Sequence, residues 1–558
     1  MIATSDLQAG TGVLNRPVTT WLFFLCLATA VLIAIWFVPW FVTQDGPLHL
    51  YNARLLIALS GANSFFNNFY APRGGVLPYV GVYKLLAGLM SIVPARAADR
   101  VLMTLTSVGF ACSVLWLRWR VTGSEQMSIV APLALTIAIS RLWLLGLYAF
   151  LLGACLFILT LGFWWMWRKD LKPARAVIIA ILLVLGYSFH VITTGLAAFA
   201  LIVLAVATPG NNSRRRLIWT AAILAPSIVL MISFGALMRN SGGAAAEWIG
   251  LADAFSIQSW LQYLQAPDFL SISFKEFVGV AAVPTDCPFV EQSALSYLVL
   301  WPTAWATVGL VLLVASSLQG RMSRARLLQS EYRGWMALAV CLFAAGFFGP
   351  SAAGQGSILR ERILLLAVVT LVPLIKPTPG TSWSRLAALC LTLAALLQIA
   401  FVSDYARISN RIAGDVMKIT PHLESGQRIV LMVPNARTHY VVNPLPSIVN
   451  QLGVSSDTLI WNNYGPAYYY FPVAFRNEEV KAQWKRKDSL NQLLLRDQGE
   501  ALAQQNPAEW IARLGAALEE TDVLIVWGAE PWFEAPCERW FQPQPIFEQG
   551  ELRAFKHK

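Results

Sequence analysis

Apolar runs close to the roughly 20 residues that cross a hydrocarbon core recur along this chain from Val18 to Val402. With 56% hydrophobic and 13% charged residues over 558 positions, the chain holds more apolar material than a soluble core of that length needs. Lipid is therefore the expected solvent for most of it. After Ser403 the composition returns to that of a soluble domain. The expected fold class is a polytopic α-helical membrane protein, of about eleven transmembrane helices, with a C-terminal soluble α/β domain. The expected domains are 1–402 in the membrane and 403–558 outside it.

The formal charge of +11 does not call for a nucleic-acid partner. Lys and Arg cluster in short connections between apolar runs, where positive charge marks the cytoplasmic side. The connections Arg118 to Gln126, Arg168 to Arg175, Pro209 to Arg216, Gln319 to Arg333 and Lys376 to Arg385 all face inward if the stretch from Leu77 to Pro94 is re-entrant or interfacial. The spans are then 18–42, 100–117, 127–141, 143–167, 174–189, 191–208, 217–236, 293–317, 335–350, 359–376 and 383–402. An odd number puts the N-terminus in the cytoplasm and the C-terminal domain in the periplasm of a bacterial inner membrane. The first run is too long for a cleavable signal and lacks a small-residue cleavage site, so it is expected to remain as an anchor.

Two long outer loops follow, 43–99 and 237–292, and long loops are usually functional. The second carries Trp248, Trp260, Tyr263 and Phe269 among acidic residues, a composition suited to interfacial helices. In the tail, Ile429 to Val433 and Val523 to Trp527 read as strands, and Ser489 to Gln504 and Pro507 to Leu518 as helices. Tyr464, Tyr468, Tyr469, Tyr470 and Phe471 read as packing more readily than as a sugar platform. Of seven cysteines, five lie in apolar runs as small hydrophobes. Cys287 and Cys537 both fall outside the membrane, where they could form a disulfide. No P-loop, GxSxG elbow, HExxH or RNA-binding motif occurs, and no Cys or His spacing suits a metal.

The stretch Thr43-Gln44-Asp45-Gly46-Pro47-Leu48-His49 places an acid directly after the first span. If Pro47 opens a helix, Asp45 stands near its N-terminus and His49 one turn on, facing one cavity; a helix cap beside a solvated His is the plainer alternative. His190 sits where a span reaches the outer face and turns back, a place where an ionisable residue is either functional or a helix-end hydrogen-bonding group. In Ser357-Ile358-Leu359-Arg360-Glu361-Arg362, two guanidiniums and a carboxylate stand at the outer mouth of an apolar span. Arg360 and Arg362 suit a phosphate there, or else snorkel to the interface. Arg141 and Arg239 at outer span ends, and Lys84 in the re-entrant stretch, are further phosphate or anchor candidates.

Together these residues resemble the GT-C membrane glycosyltransferases, which include protein O-mannosyltransferases and aminoarabinose transferases. In that superfamily an acid follows the first span, as Asp45 does. A Pro-led embedded helix comes next, like Val76-Leu77-Pro78-Tyr79 to Pro94, and an Arg opens the following span, like Arg100. The first loop has Asp45-Gly46 where some members carry an acidic pair, and no DxD, so no cofactor is expected and a divalent metal, though open, has no support in the sequence. The resemblance implies an inverting hexosyl or pentosyl transfer at the outer face, from a polyprenyl-phosphate-linked sugar to a lipid, glycan or protein acceptor. Asp45 would be the general base, while Arg360, Arg362, His49, His190, Lys84 and Arg141 would hold donor phosphate or position substrate. Membrane lipids are the other expected partners.

Three other readings remain open at this stage. A lipid-linked glycan polymerase or ligase usually carries its large loop late in the chain. A transporter or flippase often shows inverted repeats, and none is evident here. A non-catalytic assembly subunit would tolerate loss of the Asp45 charge.

Overall fold

A computed structural model describes residues 17–61, 64–123, 127–209, 213–240, 300–319, 332–349, 358–376, 381–434, 442–496, 498–528 and 530–558. Outer loop residues 241–292, Cys287, and Gly354 to Ser357 lie outside the described residues, as do the side chain of Arg239 and the connection 320–331. The chain divides into two compact units, one made of residues 17–33, 103–240 and 300–403, the other of 34–102 and 404–558. The loop 43–99, which the sequence assigned to the membrane body, thus belongs with the tail.

The first unit is helical. Four helices among the described residues are long and apolar enough to cross a membrane: Ala95–Thr122, Tyr148–Trp167, Ser213–Ala236 and Ser382–His422. Seven shorter apolar helices accompany them, including Pro173–Phe189, Val191–Ala207 and Arg333–Phe348. These helices make the chain a multi-pass membrane protein; the four long ones fall short of the eleven spans expected. Outward stripes such as Val177, Ile178 and Ile181, or Val229 and Ile232, stay exposed, as lipid-facing helix surfaces must. The helix Val80–Met90 has 11 residues, about 16 Å of rise, too short to span and in keeping with the re-entrant or interfacial assignment.

Arginines that the charge rule put in loops have other work. Arg118 lies inside the helix Phe110–Thr122, 1% exposed, and its Nη1 donates to the carbonyls of Val372 and Ile375 at 2.8 and 2.7 Å. Arg216 donates from Nε to Ala205 O at 3.0 Å and from Nη2 to Thr208 O. Arg333 donates to Ala207 O at 2.8 Å. Each satisfies carbonyls that a helix end leaves without intrahelical donors, where the helix dipole also favours a cation. A second difference concerns the last apolar helix. It runs unbroken from Ser382 to Met417, past the composition change at Ser403, because hydropathy marks where lipid ends and not where helical hydrogen bonding ends.

The second unit joins the first loop to the tail. Its strands are β1 (Tyr70–Pro72), β2 (Arg428–Met432), β3 (Leu459–Ile460), β4 (Val473–Phe475), β5 (Val523–Trp527), β6 (Phe547–Gln549) and β7 (Leu552–Lys556). Five form a mixed sheet in the order β3-β2-β5-β7-β6, with β2 parallel to β3 and β5, and β7 antiparallel to β5 and β6. Every residue of β5 is buried, as its continuous apolar run requires of a central strand. The two expected strands appear at β2 and β5. The helix Pro507–Leu518 matches its expected bounds, whereas Ser489 to Gln504 resolves into Glu478–Leu495 and Gly499–Gln505.

First-loop strand β1 pairs antiparallel with tail strand β4, Tyr70 opposite Phe475. Tyr51 Oη donates to Thr458 O at 3.0 Å and accepts from Ile460 N at 3.2 Å, tying the helix Gly46–Leu59 to β3. Cys537 is buried and donates to Phe533 O at 3.2 Å.

Candidate functional site

In the second unit the site is built on the helix Gly46–Leu59. Pro47 sits in its first turn, where a fixed φ and a missing N–H cost nothing. Asp45 takes the N-cap position, yet its side chain makes no capping hydrogen bond, although aspartate is among the preferred capping residues. The half-buried carboxylate engages the Tyr464 hydroxyl instead. Burial first, then the charge of Asp45 and its hydrogen bond, hold the Tyr464 phenol well above its ordinary range. The phenol therefore stays protonated and donates to the carboxylate. Tyr468 is raised as well, by burial first and then by Asp488 and Asp45.

One turn along, His49 is only 8% exposed rather than solvated, and its Nδ1 lies 2.9 Å from Tyr83 Oη. Asp45 O accepts from His49 N at 3.1 Å, so the first helical turn fixes the two residues relative to each other.

The residues on either side of Tyr464 are fixed by a buried amide clamp. Asn52 Nδ2 donates to Asn463 Oδ1 at 2.9 Å, and Asn463 Nδ2 donates back to Asn52 Oδ1 at 3.2 Å. Asn52 Nδ2 also reaches Leu48 O at 2.9 Å, and Gly465 N donates to Asn463 Oδ1 at 3.2 Å. Gly465 fits because it has no side chain: a Cβ there would meet the Phe471 ring at 2.7 Å and Asn52 Nδ2 at 2.8 Å. Gly465→Ala is expected to cost about 2 kcal/mol through overpacking. Thermal unfolding of the purified protein should show a lowered Tm, and an unchanged Tm would mean that the clamp yields freely.

The first unit holds a second polar cluster. Arg360, Glu361 and Arg362 occupy the first turn of Leu359–Leu371 and are all buried. Residues two apart on a helix point to nearly opposite sides, and the two guanidiniums diverge accordingly. Arg360 Nε donates to Gly349 O at 2.6 Å, while Arg362 Nη1 lies 3.2 Å from His190 Nε2, with its guanidinium 5.6 Å from the Phe150 ring centroid. The sequence had treated the two as a pair. Between them Glu361 meets Arg141 Nη1 at 2.5 Å. Among the described residues, the buried Arg360 and Arg362 and the partly exposed Arg141 stand around the one Glu361 carboxylate, a setting that favours an anion. Arg362 is 7% exposed, and its Nε has no hydrogen-bond partner among the described residues.

His190 caps the helix Val191–Ala207, its Nδ1 accepting from Thr193 N at 3.2 Å. Gly153 lets the helix Tyr148–Trp167 approach this turn, since a Cβ would meet Thr193 Oγ1 at 2.3 Å and His190 Cβ at 2.9 Å.

The remaining candidates fall elsewhere. Lys84 is exposed on Val80–Met90, and it is the adjacent Tyr83 that is buried against His49. Arg100 donates to Val38 O and Pro39 O, and Arg96 stacks 3.7 Å from the Trp40 ring centroid. Among the described residues no group of three or more His, Cys, Asp or Glu is placed to hold a metal ion. Sequence reasoning missed Tyr83, Asn52 and Asn463, and gave Tyr464 a packing role; the run of tyrosines was the one available signal.

No protein-family profile and no curated protein matches the chain. Among solved structures, the chain is similar to arabinofuranosyltransferase AftD from Mycobacteria, at 13% identity and a TM-score of 0.41 over 96% of this chain. It spans 40% of the length of that enzyme. It is similar to ArnT from Cupriavidus metallidurans in the apo state, at 11% identity and a TM-score of 0.41, covering 97% of this chain and 98% of the other. It is also similar to the Archaeoglobus fulgidus oligosaccharyltransferase in the apo form, at 14% identity and a TM-score of 0.42, covering 91% and 69%. Likenesses at this level carry no argument about chemistry, which rests on the side chains described above.

Proposed function

We propose that this chain is a membrane glycosyltransferase of the GT-C type, moving a sugar from a polyprenyl-phosphate donor to an acceptor hydroxyl or amine at the outer face. The observation that carries the reading is the Asp45 carboxylate. It stands where aspartate ordinarily caps a helix, makes no cap, and is held by the Tyr464 hydroxyl.

In this reading Asp45 takes the proton from the acceptor as the acceptor oxygen or nitrogen attacks the anomeric carbon, which requires a separation of about 3 Å. The bond from that carbon to the phosphate oxygen breaks, and polyprenyl phosphate leaves with the electron pair. Tyr464 orients the carboxylate, and His49, fixed by Tyr83, is a positioning group. In the first unit the candidate phosphate-holding groups are the arginines around Glu361. Arg362 and Arg360, with Arg141 and His190 beside them, would hold the donor phosphate and neutralise charge developing on it. Lys84, being exposed, is assigned only a peripheral role.

Direct displacement inverts the anomeric centre. A donor of defined configuration should give product of the opposite configuration by NMR. Retained configuration would exclude the single displacement, and movement of intact donor across the membrane without product would favour transport.

A further inference from the structure

We infer that the tyrosines beside Asp45 form a platform for a carbohydrate ring, so that the acceptor is a sugar-bearing molecule; this rests on the transfer reading for the role of Asp45. The rings of Tyr79 and Tyr470 lie 4.7 Å apart, centroid to centroid, at 31°. Tyr468 follows at 5.5 Å from Tyr470, with Tyr469 edge-on to Tyr470 at 5.5 Å. Tyr464 meets Tyr468 at 5.7 Å, edge to face, which joins the group to the hydroxyl that holds Asp45.

Two observations separate this cluster from ordinary packing. Phe471 and Tyr83 are buried against each other, Phe471 also packing on Tyr470, whereas Tyr79, Tyr464, Tyr468, Tyr469 and Tyr470 all remain partly exposed. In addition, Tyr79 adopts φ 71°, ψ −14°, a left-handed conformation that is costly for a bulky L-residue. The fold keeps that strain and thereby sets the Tyr79 ring against Tyr470.

A molecule presenting its hydroxyl to Asp45 must lie among these phenols. The face of a sugar ring carries polarised C–H groups that stack on the electron-rich face of an aromatic ring, and its hydroxyls bond to phenolic O–H groups. A hydrocarbon acceptor would call for aliphatic walls, and the partly exposed rings here are all phenols.

The test is saturation-transfer NMR on the detergent-purified protein, with methyl glycosides of hexoses, N-acetylhexosamines and pentoses as probes and a serine-containing peptide as comparison. Ring C–H protons of at least one glycoside should receive saturation. The signal should fall about tenfold in Tyr470→Ala and in Tyr79→Gly and persist in Tyr470→Phe. Tyr79→Gly is informative because glycine accepts the left-handed backbone, so the ring is lost while strain is relieved. Silence from every glycoside, saturation of the peptide alone, or an unchanged signal in both ring-removing variants would overturn the inference. The transfer reading is tested separately by donor consumption, so a protein that binds glycosides through these rings without consuming any donor fails the transfer reading alone, and the two failures give different results.

Discussion

Asp45→Asn should lower sugar transfer by about a thousandfold, within the range general-base catalysis supplies, while the protein stays folded. The amide has nearly the volume of the carboxylate, and its oxygen can still accept from Tyr464, so the clamp of Asn52 and Asn463 has no cause to open. Lost is the ability to take a proton. Measured kcat should therefore collapse while donor binding and Tm change little. Equal turnover would remove Asp45 from the chemistry, and a large fall in Tm would mark the carboxylate as structural.

The second large effect concerns Arg362. Arg362→Gln should reduce turnover by about a hundredfold, the scale of losing one preorganised donor at developing charge. Arg362→Lys should restore part of it by returning the charge without the planar fork. The stability change should run the other way. Among the described residues the cluster sets two buried guanidiniums and the partly exposed Arg141 against one carboxylate, so removing one positive charge should leave Tm unchanged or raised. Falling activity with steady or rising Tm would separate a phosphate-binding group from a structural ion pair. A fall in both would indicate that Arg362 serves the fold through His190 and Phe150.

The parts of this fold legible in the sequence are those imposed by the surroundings of the chain. A hydrocarbon core demands long apolar helices, and Tyr148–Trp167 and Val191–Ala207 lie where the apolar runs placed them. β5 was legible because a strand buried on both faces is an uninterrupted apolar run. The contacts of Arg118, expected at the start of a loop and found in the last turns of the helix Phe110–Thr122, were hidden for the converse reason. A count of loop charge cannot see the carbonyls of Val372 and Ile375, 254 and 257 positions away. The same distance in sequence hid half of the site. Asp45 and His49 share a face through one helical turn, which spacing reveals, whereas Asn52 and Asn463 are 411 positions apart. Only tertiary structure brings Tyr464 to the carboxylate, and a run of tyrosines in isolation reads equally well as core. Arg360 and Arg362 show the opposite relation between sequence and space. Close in sequence, they were taken as one site, and helical geometry turns them to different neighbours.

The most direct test of glycosyl transfer is mass spectrometry of a panel of polyprenyl-phosphate sugars incubated with detergent-purified wild type or Asp45→Asn, with membrane extract as the source of acceptor. The account predicts that wild type consumes at least one donor and releases polyprenyl phosphate in step with glycosylated product, while folded Asp45→Asn does neither. Equal consumption by both proteins, or none of any donor by wild type, would contradict it.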